Sequence, residues 1–435
     1  MPGTTSRGAY LPVKALGLAL CLITSSYHNS AGAADWPQWR GPSHDGICQE
    51  TGLLKSWPQE GPKIAFELTG LGTGYSSLTI VDGKLYTMGD VKVESKNVQC
   101  VLAYDLSTHN RLWAAPVGPT HDDGPRCTPT VDDGSIYAVG TSGDVVCLDA
   151  ATGNLRWSKN LQKDLNGKNP GWKYSESPLV DGEKLVCTPG GREAVMVALD
   201  KKTGEVIWTC SMPDIGGKGK DEAGYSSIVP TTAAGVAQYV QLTNKGVIGV
   251  AAKDGKFLWG YSKVANDVAN ISTPVVSGDY VFCSTAYNTG SALLKLTAAN
   301  EGVNAEEVYF LDAKTFQSHH GGFVQVGDYI YGGHGHGQGK PTCIDLKTGK
   351  VMWQADQPGG GSAAVLYADG QLYFRYQDDT LALIEANPQK YNLKGTFKLP
   401  KRPGMGGEGW AHPVIVDGKL YVRHSDVLFA FDIKG

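Results

Sequence analysis

The sequence predicts an all-β fold, a ring of eight four-stranded antiparallel blades, on three observations. The first is residues 127–157, CTPTVDDGSIYAVGTSGDVVCLDAATGNLRW, which read as strands at 127–131, 135–140, 144–149 and 154–159. Asp133-Gly134, Ser142-Gly143 and Thr152-Gly153 join them, glycine supplying the positive φ of a tight hairpin. In the third strand Val145, Cys147 and Asp149 alternate with Val146 and Leu148, the period of two expected of a strand. The second observation is a recurring closing aromatic: Phe66, Trp113, Trp157, Trp208, Trp259, Phe310, Trp353 and Phe397, at intervals of 43 to 51 residues. The third is an Asp-x-x-Thr-Gly turn ahead of several of them, at Asp149, Asp200 and Asp345, with a decayed copy at Asp105…Thr108. One four-stranded meander cannot bury both faces, so each copy must stack on the next, and this period means propeller blades.

The two ends of the repeat array are complementary. The last copy, 411–433, has three strands, whereas 63–69 carries Phe66 in fourth-strand register with no three strands before it. Pairing them makes one composite blade and removes two open edges. The expected organisation is therefore a signal peptide at 1–34, a Trp/Pro/Gly-rich lead-in at 35–60 and one propeller at 61–435, with 61–70 belonging to the last blade. Trp36, Trp39 and Trp57 of the lead-in are expected to plug a surface groove.

Composition agrees with short strands and tight turns: 57 glycines among 435 residues, 41% apolar residues and only 19% charged ones. The net charge of −4 and the lack of basic runs argue against nucleic acid as a partner. Arg7 and Lys14, the apolar run Ala15–Ile23 and Ala31-Gly32-Ala33 have the form of a secretory signal, and the run is too short to span a bilayer. The mature protein is expected in the periplasm or medium, without a transmembrane segment. A lipid anchor on Cys21 is disfavoured because Leu20 is large. Eight cysteines follow the leader, none adjacent to another and none in Cys-x-x-Cys. Cys147 and Cys343 fall at core positions of the repeat, and no disulfide pairing can be read from spacing.

Strand alternation sorts the loops onto two faces. Turns between the first and second and between the third and fourth strands of a blade are short hairpins. The connections between blades, together with those between second and third strands, are long and polar and share the other face. Seven of the nine histidines beyond the leader map there. His319, His320, His334 and His336 of the sixth blade are the sharpest cluster, a candidate ligand grip or metal site. Trp172 and Trp410 offer stacking surfaces, and Glu176, Glu222 and Glu408 offer carboxylates. Tyr75, Arg126, Tyr225, Asn270, Arg375 and His412 complete a candidate polar ring.

The Ala-x-Asp-x-x-Thr-Gly-x-x-x-Trp core, intact at Ala198–Trp208, resembles the pyrroloquinoline-quinone (PQQ) repeat of the quinoprotein-like eight-bladed propellers. The likeness extends over 61–435, and the lead-in Trp36-Pro37-Gln38-Trp39-Arg40-Gly41-Pro42 is similar to that of bacterial exported propellers. It implies the fold more strongly than any function, because the repeat encodes blade packing. The reading taken forward is a non-catalytic binding or scaffold propeller at the cell envelope, similar to the lipoprotein propeller of the outer-membrane barrel assembly machinery. Its partner is then an envelope protein or a small polar ligand. One alternative is a PQQ-dependent alcohol or polyvinyl-alcohol dehydrogenase. The resemblance implies that such enzymes hold the quinone between a Trp floor and an adjacent-Cys disulfide, with Glu, Asn and Asp on calcium; this chain lacks the Cys pair. The other alternative is a binder of sugars or similar polar molecules.

Overall fold

A computed structural model describes residues 1–5, 35–300 and 302–435, and residues 33–435 form one compact unit. The leader expected at 1–34 lies almost wholly outside the described residues. Blade two is built from Thr130–Asp132, Ser135–Val139, Asp144–Asp149 and Leu155–Asn160, close to the predicted strands but with a shorter first one. Eight such sheets form the ring, and the described residues contain no helix.

The repeat works by stacking each blade on its neighbour. In the Asp149 turn, Asp149 Oδ1 accepts from the Thr152 amide and hydroxyl, both at 2.9 Å, which ties the turn shut. Gly153 then takes a φ of +74°, and a Cβ there would lie 2.7 Å from the Trp113 ring of blade one. The missing side chain is the seat for the neighbouring indole. Trp157 sits on Gly204, Trp208 on Gly255 and Phe397 on Gly61 in the same way. From blade five the seat at Gly349 of blade six receives Tyr309, not the expected Phe310, whose ring instead faces the Lys263 ammonium at 4.3 Å. The decayed turn of blade one puts His109 where glycine stands elsewhere, at φ +60°, and stacks its imidazole on Phe66 at 4.1 Å. Each such large ring is worth roughly 1.5–3 kcal/mol of burial.

Ring closure follows the composite-blade expectation. Lys63–Thr69 pairs antiparallel with Val427–Asp432, completing the sheet of Val414–Val416, Lys419–His424 and Val427–Asp432. Two side chains, a buried arginine and a partly buried aspartate, clamp this blade to blade one. Arg423, fully buried, donates to Ser76 O, Thr87 Oγ1, Met88 O, Leu71 O, Gly72 O and Ser425 O over 2.6–3.1 Å. Asp426 accepts from the amides of Gly70 and Gly72. Burial lowers the Arg423 pKa to about 10, so the guanidinium stays charged at neutral pH.

The lead-in fills the channel, where a surface groove was expected. Trp36 bridges Ile80 on the innermost strand of blade one, and Pro37 O accepts from Val131 of blade two. Arg40 donates to Phe323 O of blade six at 2.7 Å. Ile47–Cys48 then pairs in parallel with Tyr367 and Ala368, as a fifth strand inside blade seven. Glu50 accepts from the Asp417 and Gly418 amides of blade eight. The segment thus enters from the hairpin-turn face, reverses near Trp39 and Arg40, and leaves by the same face. Only Trp57 remains at the periphery, against Phe397 and Tyr373. All eight described cysteines are free and buried, Cys147 and Cys343 in blade cores.

Arg423→Ala removes the donor for six acceptors at the seam, and unpaired buried acceptors are costly. Urea unfolding is expected to show a loss of at least about 3 kcal/mol; a loss below about 1 kcal/mol contradicts the clamp.

Candidate ligand-binding site

Seven of the inter-blade loops and the tip of the lead-in enclose a cup of about 290 Å³ at the mouth of the channel. A chain of hydroxyls sets the spacing of its first loops. The Ser77 amide donates to Thr128 Oγ1 at 3.2 Å, Thr128 to Ser177 Oγ at 2.9 Å, and Ser177 to Ser227 Oγ at 3.0 Å. Each blade is thus pinned to the next just where the chain turns into an innermost strand.

Aromatic rings make the walls. Trp410 packs against Tyr75 at 4.8 Å and takes the edge of His320 at 4.1 Å. Trp172 and Tyr225 stand across from them, linked by a Tyr225 Oη bond from the Trp172 amide at 3.1 Å. His319 stacks on His320 at 3.6 Å, and Tyr287 packs on His336 at 4.5 Å. The floor is Trp39, whose Nε1 donates to Thr273 Oγ1 at 3.1 Å and whose ring meets His412 at 4.6 Å. Arg40 lies beside it.

Three charged side chains line the cup, Arg40, Arg126 and Asp123, and only the last two pair with each other. Arg126 pairs with Asp123 at 2.8 Å and donates to Trp172 O at 3.0 Å. Desolvation drives the His319 and His412 imidazoles down to about 3 and lowers His320 well below its usual value. All three are neutral at physiological pH.

Nine residues singled out from sequence line this cup: Tyr75, Arg126, Trp172, Tyr225, His319, His320, His336, Trp410 and His412. Three others lie outside it. Glu176 is buried beneath the mouth, accepting from the Thr188 amide at 3.0 Å and Gln241 Nε2 at 3.2 Å. Asn270 spends its amide group on Asn266 and Asn244. His334 turns away to accept from the Gln317 amide at 3.3 Å and to face Phe316. The histidine quartet is therefore not a single cluster, and no group of three or more His, Cys, Asp or Glu among the described residues can hold a metal ion. Glu222 and Arg375 are likewise committed, to Asn244 and to Ala411 O. Sequence reasoning missed Trp39, Arg40, Asp123 and Tyr287. The Trp-x-x-Trp-Arg spacing of the lead-in was a visible signal, but nothing local says that it enters the channel.

The family model described as "PQQ_2: Outer membrane protein assembly factor BamB" matches residues 98–355 and 314–434. The chain belongs to this family. It is 22% identical over 239 residues to the outer membrane protein assembly factor BamB of Shewanella oneidensis, covering 54% of each chain. It is 26% identical over 152 residues to the quinoprotein ethanol dehydrogenase of Pseudomonas putida, covering 31% of this chain and 24% of that one. The matched segments thus span about a quarter to a half of these relatives. Among solved structures, the quinohemoprotein alcohol dehydrogenase of Comamonas testosteroni superposes with a TM-score of 0.64 at 13% identity, over 92% of this chain and 81% of that one. BamB of Moraxella catarrhalis gives 0.58 at 13% identity, over 86% and 100%. These likenesses show the fold.

The residues present do not fit the calcium of a PQQ site. Calcium takes about six to eight oxygen ligands. The one carboxylate lining the cup, Asp123, is ion-paired, while Glu176 and Asn270 are hydrogen-bonded away from it.

Burial raises Glu176 from 4.5 to about 8. The folded protein thus keeps a proton that the unfolded chain releases, and Glu176 costs stability increasingly as pH rises through that window. His319 and His412 act oppositely, their stabilisation being complete above about 6.5 and lost as pH falls towards 3. Glu176→Gln should therefore show a smaller fall in Tm than wild type between about pH 5 and pH 8. Parallel Tm profiles contradict the assignment.

Proposed function

We propose that this protein is an exported, non-catalytic binding propeller of the cell envelope, a scaffold whose mouth holds a small polar ligand. The signal-like leader supports export, and relatives named as outer membrane protein assembly factors support an envelope role. The observation that carries the reading is the chemistry of the cup. Its rings and neutral imidazoles form a stacking and hydrogen-bonding surface, while its only ion pair is spent internally. A cup of this kind, largely apolar with a few convergent polar groups, is the usual form of a small-molecule site.

Kinship with proteins named quinoprotein ethanol dehydrogenase favours a second reading, oxidation of an alcohol with bound PQQ. Against it stand the committed carboxylates described above. Calorimetric titration with PQQ in calcium chloride, followed by a dye-linked alcohol oxidation assay, separates the two. No calcium-dependent complex and no turnover are expected. A tight calcium-dependent complex that oxidises an alcohol overturns the non-catalytic reading.

A further inference from the structure

Residues lining the cup carry polar side-chain atoms that the fold itself leaves without partners. Trp410 Nε1, His320 Nδ1 and Ser175 Oγ are buried and make no hydrogen bond within the protein, although buried polar groups are ordinarily paired. All three belong to residues lining the same cup. Ser227 accepts the Ser177 amide, which leaves its hydroxyl proton free to donate. The unmet demand is thus mixed: an obligatory donor in the indole, and imidazole and hydroxyl groups that give or take a hydrogen bond.

Alcohol hydroxyls have that same double character. An anion would only accept, and the two guanidiniums at the cup are already engaged: Arg126 is paired with Asp123, and Arg40 donates to the carbonyls of His44, Asp45 and Phe323. A quaternary ammonium would donate nothing, and the Arg126 guanidinium already stands 5.9 Å over the Tyr75 ring. Aromatic faces at Trp172 and Trp410 suit the flat C–H face of a saturated ring, as they suit any amphipathic ligand with an apolar side and a polar edge. The volume of about 290 Å³ lies at the small end of ligand pockets, room for a ring or two and not for an extended chain.

From these features we propose that the cup binds a pyranose unit of an uncharged saccharide, ring faces on Trp172 and Trp410, hydroxyls on Ser175, His320 and the Arg126–Asp123 pair. The proposal rests on the reading of the mouth as a binding site and gives that site its ligand class. The His320 imidazole that serves it is neutral at physiological pH.

The test is calorimetry on the full chain with methyl glycosides of glucose, galactose, mannose and N-acetylglucosamine and with neutral disaccharides. Benzoate, choline and PQQ serve as comparators. At least one saccharide is expected to bind. Trp172 is 46% exposed, so Trp172→Ala should fold normally; it should weaken binding about tenfold. Trp410→Phe keeps a ring and loses the donor, and should weaken binding about two- to tenfold. Saccharide binding that neither substitution changes overturns the proposal. So does a panel in which benzoate, choline or PQQ binds through these tryptophans and no saccharide does; the cup then stands as a site and its ligand class falls. If no compound binds, the site and its ligand class fall together.

Discussion

Everything about the mouth depends on the seam between blades eight and one. A propeller is a ring of units that contact only their neighbours, so one open joint leaves two bare edges and a channel without fixed width. Here the joint is made three times over. The strand Lys63–Thr69 crosses from the start of the chain to complete the last sheet, Phe66 stacks on His109 of blade one, and Arg423 with Asp426 grips the loop 70–72. A buried guanidinium is costly to desolvate, and Arg423 is tolerable only because six acceptors meet it. Five of those acceptors lie on residues 71–76 and blade one, so the buried charge is satisfied only when the seam is closed.

Once closed, the ring leaves an axial channel, and the lead-in occupies it from the hairpin-turn face. The outcome is a blind cup. Its walls come from loops of different blades, and its floor is Trp39, on a segment that precedes the ring in sequence. Burial by this plug also sets the electrostatics: His412 rests on Trp39, feels the Arg40 charge, and stays neutral. The fold therefore couples the shape of the cup and the neutrality of His412 to one inserted hairpin.

The ring was legible because its rules are local. An Asp-x-x-Thr-Gly turn and an aromatic a few residues on encode both a hairpin and a seat for the next blade's neighbour, and the orphan strand at 63–69 announced the closure. Even the slip in blade five, where Tyr309 takes the place assigned to Phe310, keeps to the pattern of the other blades: the seated ring follows the bulge, which falls there at Val308. The side of the ring that carries the cup followed from strand alternation, and nine of its residues with it. What failed was depth. Glu176, Asn270 and His334 are on the right loops, but partners far away in sequence, Gln241, Asn244 and Phe316 among them, draw them below or away from the mouth. The path of residues 35–50 was hidden for a similar reason: its hydrogen bonds go to blades one, two, six, seven and eight, and no local pattern announces them.

The ten tryptophans fall, on this account, into two classes. Trp113, Trp157, Trp208, Trp259 and Trp353 close blades, and Trp36 and Trp57 anchor the lead-in; Trp39, Trp172 and Trp410 face the cup. Fluorine NMR of fluorotryptophan-labelled protein, assigned by single Trp→Phe substitutions and titrated with each saccharide and comparator in turn, reads both classes at once. The account predicts that a bound compound shifts the Trp39, Trp172 and Trp410 resonances and leaves the blade tryptophans in place. Shifts confined to blade tryptophans would put the ligand on the outer surface of the ring and contradict the cup as the functional site.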